Sequence, residues 1–445
     1  MQAVYIHTWG CQLNEHKSEE IAGVLQRAGF RLVERLEEAE VVIFNTCTVR
    51  EKAVEKVLGK AGEVQRLRSR AQAQARGKRV LLGIGGCLSQ AERERLFLRT
   101  KGIDFLFGTS ARDINRLPEI ISQAEAKPGV LAVGEPEGLD HLPVRRESPF
   151  KAYVMITEGC DHFCSYCIVP YTRGRLRSRP MEEIVAEVEE LVAQGYKEVI
   201  LLGQNVNSYG RDLFGEGRFP ELLRRVAATG IPRIRFTSSN PEEMSEDLLR
   251  TIASLPNVCE QLHMAAQSGS DRVLRDMRRP YTKAEFLEKV ALAKDLIPGV
   301  NITTDLIVGY PTEEEEDFQE TVDLVERARF GSAFIFKFSP RPGTIASVKY
   351  GDPIPKEVKE RRHQALLELQ RRISDEESRR LIGREVEVLV EGRSKGRELF
   401  GKGRDGRRVV FEGKEGDAHL LGEVVTVRVS GVAKGTLLGE LCDCE

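Results

Sequence analysis

The segment GCDHFCSYCIVPYTRGRLRSRP (residues 159–180) carries three cysteines at CxxxCxxC spacing, Cys160, Cys164 and Cys167. We call them the loop trio. Thiolates this close together in one loop can hold a single inorganic centre. A closed zinc site or a four-cysteine iron–sulfur cluster would need a fourth ligand, so three thiolates leave one coordination position open. The segment is therefore predicted to be a metal-binding loop, and a structural zinc loop is the alternative.

A series of βα units surrounds this loop. AYVMITEG leads into it as a strand, and Ser178 and Pro180 are typical of a helix start after it. Further strands alternate with helical sequence: EVILLG (198–203), RIRFTS (233–238), VCEQLHM (258–264), ITTDLIVG (302–309) and SAFIFKF (332–338). Six such strands predict a curved parallel sheet, an open (βα)6 partial barrel, as the central domain over residues 149–378.

In barrels of this kind ligands are bound by the segments that follow the strands. Polar side chains stand at several of these strand ends and are candidates for binding a ligand: Gln204, Asn205, Ser238, Ser239, Gln267, Ser268 and Asp305. The alternative for each is helix capping, above all for Ser239 together with Asn240 before PEE.

Residues 1–125 are predicted to form a separate α/β domain with a parallel sheet. VYIHTW (4–9), VVIFN (41–45) and VLLGIGG (80–86) are its first strands, and Asn14 is a plausible N-cap for the helix after the first of them. Cys11, Cys47 and Cys87, the N-terminal trio, lie just beyond these strands. Ligands of open parallel sheets sit at the carboxyl ends of the strands, so the trio is predicted to form a second three-thiolate metal site. The alternatives are buried small apolar residues and low-pKa catalytic thiols.

The rest of the chain supplies a linker and a third domain. Residues 126–148 are rich in proline, glycine and charge, as in a linker. A helix from about 355 to 380 then leads to residues 379–441, whose short strands and glycine-bearing turns predict a small antiparallel β-barrel. Two basic stretches, residues 65–79 and 393–408, are either solvated surfaces or contacts for a polyanion.

Composition limits the function classes. The 445 residues are 41% hydrophobic and 31% charged with a net charge of -2, which excludes a globally basic nucleic-acid binder. The chain contains no apolar run of about 18 residues, the length that predicts a membrane span, and its N-terminus does not resemble a signal peptide. We therefore expect a cytoplasmic protein. Nine cysteines in so long a chain favour metal binding or chemistry over a disulfide framework.

Several motifs resemble those of one enzyme family. WGCQLN, NTCTVREKA and GGCL, around the N-terminal trio, resemble the cysteine motifs of radical S-adenosylmethionine (SAM) methylthiotransferases, and the CxxxCxxC segment resembles the loop of the same enzymes. The C-terminal barrel resembles a TRAM domain, an RNA-binding module. HMAAQSGS and GYPTEEE depart from the HxPVQSGS and GFPGET expected of the family. The resemblance covers nearly the whole chain.

Within this family, VPYTRG, LLGQNVNSYG and FKFSPRPGT are most similar to members acting on isopentenylated adenosine in tRNA. The resemblance implies methylthiolation of carbon 2 of N6-dimethylallyl (isopentenyl) adenosine beside the anticodon, with two SAM molecules and two [4Fe-4S] clusters. It implies that the cluster on the loop trio cleaves one SAM to a 5′-deoxyadenosyl radical, which abstracts the hydrogen from carbon 2. The cluster on the N-terminal trio would supply sulfur, methylated by the second SAM.

The resemblance also implies the cofactor contacts and partners. SAM would be held by the seven polar residues at the strand ends and by Arg173, while Tyr171 and Arg175 would contact SAM or RNA. We expect the tRNA anticodon stem-loop as partner, a flavodoxin- or ferredoxin-like electron donor, a sulfur donor, and a monomer. The alternatives are methylthiolation of threonylcarbamoyladenosine in tRNA or of ribosomal protein S12, and a non-catalytic RNA-binding metalloprotein.

Overall fold

The computed structural model describes residues 2–48, 51–73, 79–136, 139, 141–394, 398–413 and 417–442. The chain divides into two compact units. The first comprises Met1–Glu147, Thr157–His162 and Cys167–Ser178, and the second comprises Ser148–Ile156, Phe163–Tyr166 and Arg179–Glu445.

A six-stranded parallel sheet in the order β2-β1-β3-β4-β5-β6 forms the centre of the first unit. Its strands are β1 (Ala3–Trp9), β2 (Arg31–Leu32), β3 (Val41–Thr46), β4 (Leu81–Gly85), β5 (Phe105–Phe107) and β6 (Val130–Ala132). The helices are α1 (Gln12–Arg27), α2 (Glu51–Ala73), α3 (Cys87–Glu92), α4 (Arg95–Arg99), α5 (Ala111–Asn115) and α6 (Leu117–Ala126), with a 3-10 turn at Leu36–Glu38. Apolar strand residues are buried on both faces, as in a doubly covered parallel sheet.

The central strands pack closely because β4 contains glycine where β5 contributes aromatic rings. A Cβ atom at Gly83 would lie 2.1 Å from the Phe105 ring, and one at Gly85 would lie 2.0 Å from the Phe107 ring. No side chain fits at either position, so the two glycines allow the rings to cover β4.

The segment 126–148 differs from the linker that the sequence predicts. β6 adds a sixth strand to the sheet, and Leu142 is buried in the apolar core of the first unit. The backbone amide of Arg145 also donates to the Glu19 carbonyl at 3.0 Å. The described part of this segment therefore contributes a strand and a core side chain to the first unit.

The chain after residue 148 contains the remaining strands and helices. The strands are β7 (Lys151–Met155), β8 (Thr157–Glu158), β9 (Arg177–Ser178), β10 (Glu198–Leu202), β11 (Arg233–Phe236), β12 (Gln261–His263), β13 (Asn301–Val308), β14 (Ser332–Lys337), β15 (Glu385–Arg393), β16 (Glu398–Gly403), β17 (Arg408–Glu412), β18 (Val424–Ala433) and β19 (Thr436–Leu441). The helices are α7 (Val169–Arg173), α8 (Met181–Ala193), α9 (Arg211–Phe214), α10 (Phe219–Ala228), α11 (Glu246–Ser254), α12 (Asp271–Asp276), α13 (Lys283–Leu296), α14 (Glu315–Ala328), α15 (Ile345–Lys349) and α16 (Lys356–Arg379). Three short 3-10 helices lie at Val206–Ser208, Pro241–Glu243 and Asp417–Leu420.

The second unit contains the predicted open (βα)6 partial barrel. β7, β10 and β11 pair in parallel, as do β12, β13 and β14, and a parallel bridge between Ile234 and Val258 joins the two halves. The strands thus follow one another around the sheet in chain order, which confirms the predicted fold. Their carboxyl ends all lie on one edge, where ligands of such barrels bind.

β15 to β19 form a closed five-stranded barrel in the order β15-β16-β17-β19-β18. Four of its strand pairs are antiparallel, as predicted, whereas β17 and β19 pair in parallel. Val388, Val390, Val409 and Phe411 are among the side chains that fill its interior. Full closure protects the edges of these short strands from pairing with other chains.

Buried arginines attach this barrel to the amino ends of the partial-barrel strands. Arg233 and Arg235 both donate to Glu198, at 3.0 and 2.8 Å. They also donate to the carbonyl groups of Lys402 and Gly403, at 3.0 and 2.6 Å. Burial alone would raise the pKa of Glu198, but Arg235 and Arg233 lower it below its ordinary value. The small barrel is thus fixed at the edge opposite the carboxyl ends of the partial-barrel strands.

Among the described residues, none of the helices combines the length and apolar character that crossing a bilayer requires.

Candidate metal centres

The N-terminal trio lies at the ends of three neighbouring strands. Cys11 is the N-cap residue of α1, Cys47 directly follows β3, and Cys87 is the first residue of α3 after β4. β1, β3 and β4 are adjacent and parallel, with Trp9 opposite Thr46. The three cysteines therefore share the carboxyl edge of one sheet, where open α/β sheets bind ligands.

A buried amide network holds the start of α1. The Cys11 thiol lies 3.3 Å from the Asn14 side-chain oxygen, and the Asn14 amide donates to the Asn45 side-chain oxygen at 3.3 Å. The Asn45 amide donates in turn to the Asn14 carbonyl at 2.8 Å and to the Ser18 hydroxyl at 2.9 Å. Asn14, expected to be the N-cap, lies inside the helix instead, because its side chain bridges α1 to β3.

The other two members of this trio are buried. The Cys47 amide donates to the Trp9 carbonyl at 2.8 Å, which continues the pairing of β1 with β3 past the strand end. Cys47 and Cys87 are buried, whereas Cys11 is exposed. Among the described residues, the three sulfur atoms are not all within 4.8 Å of one another. One zinc ion bound at about 2.3 Å holds its sulfur ligands closer than that, so this spacing does not match a single zinc ion.

Arg173, a predicted SAM contact, is buried beside the N-terminal trio. It closes α7, which packs on α3, and its guanidinium donates to Glu158 at 2.7 Å. Only 2% of Arg173 is exposed. Burial alone would lower the pKa of Arg173, but the charges of Cys87, Glu158 and Cys11 raise it above its ordinary value. Arg173 is therefore a buried cation whose charge interacts with the charges of Cys87, Glu158 and Cys11.

A row of buried charges continues from Glu158 into α1. The Lys17 ammonium lies 2.9 Å from Glu20 and 3.7 Å from Glu158, and His16 lies 3.3 Å from Glu20. Burial alone would raise the pKa of Glu20, but Lys17 and His16 lower it to about 2. No sequence prediction covered this row of charges, although the charges of NEHKSEE recur at the three- and four-residue spacing that places them on one side of a helix.

The backbone around Cys160 is tightly packed. The Cys160 amide donates to the Gly174 carbonyl at 3.2 Å. The preceding residue, Gly159, has a φ of +83°, and a Cβ atom there would lie 1.9 Å from the Arg175 carbonyl oxygen. Only glycine fits this turn, so the loop can approach the strand that returns from α7.

Cys164 is buried next to an arginine that the sequence analysis did not single out. The Arg279 guanidinium lies 3.5 Å from the Cys164 sulfur and donates to the Ala265 carbonyl at 3.1 Å and to the Tyr281 hydroxyl at 3.0 Å. Burial alone would lower the pKa of Arg279, but Tyr281, Tyr166 and Cys164 raise it well above its ordinary value. A buried, fixed cation therefore faces the sulfur atom of Cys164.

The other predicted SAM contacts belong to the second unit. Gln204 and Asn205 follow β10, Ser238 and Ser239 follow β11, Gln267 and Ser268 follow β12, and Asp305 lies within β13. Ser238 and Gln267 have φ angles of +63° and +67°, which are uncommon for residues other than glycine. Such strained backbone is concentrated at functional sites, so these two strand ends are suited to ligand binding.

Several of these side chains contact protein groups. The Asn205 amide donates to Glu243 at 2.5 Å and to the Ser208 hydroxyl at 2.7 Å. Asp305 lies 3.4 Å from the His263 ring. Asn240 is the N-cap residue of the 3-10 helix Pro241–Glu243, but its side chain makes no capping bond there. Capping thus does not account for the polar residues before PEE.

Part of the basic stretch of the small barrel is bonded within the protein. Arg404 donates to both oxygens of Glu260, at 3.1 and 2.9 Å, and Arg407 binds Asp405. Arg408 is exposed and lies over the Phe400 ring, 4.2 Å from its centroid. Residues 395 and 397 lie outside the described residues. Arg404 and Arg407 therefore bind carboxylates of the protein itself, whereas Arg408 of the same stretch is exposed.

The basic stretch at residues 65–79 is also partly internal. Arg68 donates to the carbonyls of Val80 and Gly102, at 2.7 and 2.6 Å, and binds the buried Asp104 together with Arg79. Residues 74–78 lie outside the described residues. Arg68 and Arg79 therefore stabilise the end of α2 against the sheet.

Three family models match the chain in succession. The model of the Uncharacterized protein family UPF0004 matches residues 3–108, the Radical SAM superfamily model matches residues 154–325, and the TRAM domain model matches residues 379–442. The matches fall on the parallel sheet, the partial barrel and the small closed barrel respectively.

Solved structures share the fold. A radical S-adenosylmethionine methyltransferase, TsrM from Kitasatospora setae, superposes with a TM-score of 0.57 at 15% identity, covering 78% of this chain and 74% of that chain. The cobalamin-dependent radical enzyme OxsB superposes with a TM-score of 0.51 at 11% identity, covering 81% of this chain and 56% of that chain.

Curated relatives match along the full chain. The tRNA-2-methylthio-N(6)-dimethylallyladenosine synthase of Moorella thermoacetica is 45% identical, covering 98% of each chain. The enzymes of the same name from Syntrophomonas wolfei and Thermoanaerobacter pseudethanolicus are 44% and 43% identical, covering 98% and 99% of this chain and 97% and 92% of theirs. This chain therefore belongs to the radical-SAM methylthiotransferase family that includes these synthases.

Proposed function

We propose that this enzyme transfers a methylthio group to carbon 2 of N6-dimethylallyl (isopentenyl) adenosine beside the anticodon of tRNA, in the cytoplasm. The observation that carries the proposal is structural. One compact unit contains the whole N-terminal trio together with Cys160 and Cys167 of the loop trio. Five of the six predicted metal ligands thus belong to one folded body, and the full-length similarity to the curated synthases supports the same activity.

The donor chemistry of both trios fits iron–sulfur clusters. The loop trio, Cys160, Cys164 and Cys167, would hold one [4Fe-4S] cluster, and the N-terminal trio, Cys11, Cys47 and Cys87, would hold the other. Three thiolates leave one iron of each cluster open for a further ligand. Bound there, the clusters and SAM would supply reductive cleavage of SAM and the sulfur of the methylthio group.

A buried cation beside the loop trio suits the binding of an anionic centre. Arg279 faces the Cys164 sulfur from a buried position, so an anionic centre bound there would have a counter-charge in the interior. Gln204, Asn205, Ser238, Ser239, Gln267 and Ser268, which follow strands, and Asp305, within β13, would bind SAM. Their amide, hydroxyl and carboxylate groups match the amino, carboxylate and ribose groups of SAM.

The small barrel would bind the RNA, whose anticodon loop presents unstacked bases. Arg393 and Arg408 are exposed, and Phe400 is half-buried beneath Arg408. Basic side chains beside an aromatic ring suit single-stranded RNA, because phosphates and unstacked bases are bound together. An anticodon loop already displays unstacked bases, which lowers the free energy of bringing carbon 2 into the site. A flavodoxin- or ferredoxin-like protein would donate electrons, a sulfur donor would restore the cluster, and the enzyme would act as a monomer.

We expect the enzyme to select its tRNA substrate by the isopentenyl group on the adenosine. We expect isopentenylated tRNA to be methylthiolated at least about a hundredfold faster than the same tRNA lacking the group, because each methylene accepted by an apolar site is worth about 10- to 200-fold. Mass spectrometry of digested nucleosides measures the product. Threonylcarbamoyladenosine tRNA and ribosomal protein S12 are the matched alternative substrates. Equal turnover of isopentenylated and unmodified tRNA would exclude this substrate choice.

A further inference from the structure

We propose that Arg173 is a positioning residue for the N-terminal metal centre: its buried guanidinium supplies the positive charge that the thiolates of Cys11 and Cys87, and the cluster on them, require. The proposal rests on the function proposed above and adds a residue to it. It also moves Arg173 from the SAM contacts, where the sequence placed it, to the sulfur-supplying centre.

The position of Arg173 follows from how α7 is attached. The Thr109 hydroxyl donates to the Thr172 carbonyl at 2.9 Å, and α7 packs on α3, whose first residue is Cys87. The guanidinium is 2% exposed and bonded to Glu158. With both the backbone and the side chain fixed, the charge of Arg173 stays beside Cys87 and Cys11, which act on it electrostatically.

Glu158 is shared among three cations of this buried row. It lies 2.7 Å from Arg173, 3.7 Å from Lys17 and 3.9 Å from Arg177. A buried charge without sufficient counter-charge is strongly unfavourable. An anionic cluster on Cys11 and Cys87 would add counter-charge beside Arg173.

A buried cation has a defined effect on an iron–sulfur cluster. Nearby charge and burial set the reduction potential of such clusters, and a positive charge favours the reduced, more negative form. Arg173 therefore raises the potential of the N-terminal centre and increases its retention of iron. If Arg173 served only to pair with Glu158, it would change neither the reduction potential nor the iron retention of the centre.

The test uses the full chain with the loop trio replaced, Cys160→Ala/Cys164→Ala/Cys167→Ala, so that only the N-terminal trio can hold iron. After anaerobic reconstitution with iron and sulfide, iron per chain is counted, and the cluster is titrated with dithionite under electron paramagnetic resonance. In this background Arg173→Gln is expected to shift the one-electron reduction equilibrium at least tenfold toward the oxidised cluster, equivalent to 59 mV. Arg173→Lys keeps the charge and is expected to stay within about threefold of the background.

Glu158→Gln is the matched control. It removes the opposite charge and is expected to shift the same equilibrium toward the reduced cluster, and a loss of folding would not produce such a reversal of sign. Should Arg173→Gln fold poorly, the double variant Arg173→Gln/Glu158→Gln leaves a neutral hydrogen-bonding pair, and its potential is expected to lie between those of the single variants. An unchanged potential and iron count in Arg173→Gln, or a double variant matching Glu158→Gln, would refute the role of Arg173. A background protein that binds no iron at the N-terminal trio would overturn the two-cluster function itself.

Discussion

Replacing Cys164 by alanine is expected to abolish SAM cleavage. The thiolate of Cys164 is one of three that the loop offers, and the site has no fourth cysteine to take its place. Even changes to groups that only orient metal ligands cost about 10- to 100-fold, so loss of a ligand should lower 5′-deoxyadenosine formation by more than about a hundredfold. Chromatography of the nucleoside released from SAM under dithionite measures the loss.

The fold should tolerate this substitution. Arg279 would lose a sulfur neighbour but keep its bonds to the Ala265 carbonyl and the Tyr281 hydroxyl. Cys259→Ala is the matched control, because Cys259 is also a buried cysteine of the second unit and burial raises the pKa of its thiol, which keeps it neutral. SAM cleavage at the control rate in Cys164→Ala would mean that the loop trio is not the cleavage site.

Replacing Cys11 by alanine is expected to separate the two halves of the reaction. Formation of 5′-deoxyadenosine should stay within about threefold of the parent enzyme, because the loop trio is untouched. The methylthio product should fall by more than about a hundredfold, because the sulfur-supplying centre loses a ligand. Both products are measured in one anaerobic reaction with isopentenylated tRNA.

Because Cys11 is exposed, its replacement should affect the metal centre without disturbing the core. Its side chain is exposed, so the substitution creates no cavity in the core. Cys442→Ala, at a partly exposed cysteine near the C-terminus, is the control and should leave both products unchanged. A Cys11→Ala enzyme that retains the loop cluster yet makes no 5′-deoxyadenosine would contradict the division of labour between the trios.

The parts of the molecule that follow from local pattern were predictable. The alternation of apolar strands with amphipathic helices gave the parallel sheet and the partial barrel. Because β1, β3 and β4 are adjacent, the strand-end positions of Cys11, Cys47 and Cys87 fall on one edge. The predicted sheets and the shared edge of the three cysteines follow from sequence periodicity and from the rule that parallel strands end on the same side.

Charged residues were the part that the sequence could not place. Arg173 was expected to contact SAM, and Arg404 stands in a basic stretch that suits a solvated surface or a polyanion. Each is fixed by a glutamate more than ten positions away in the chain, Glu158 and Glu260. Such pairing depends on tertiary packing, which no local pattern encodes. The strand β6 was missed for a related reason, since its three residues become a strand only by pairing with β5.

The central claim is that the chain holds two cysteine-bound clusters with separate tasks. Iron and sulfide counts after anaerobic reconstitution test it most directly, in the parent and in variants lacking either trio. Two four-iron clusters predict about eight irons per parent chain and about four in the variant without Cys11, Cys47 and Cys87. About four irons in the parent, unchanged by removal of that trio, would contradict the claim and leave an enzyme with a single cluster.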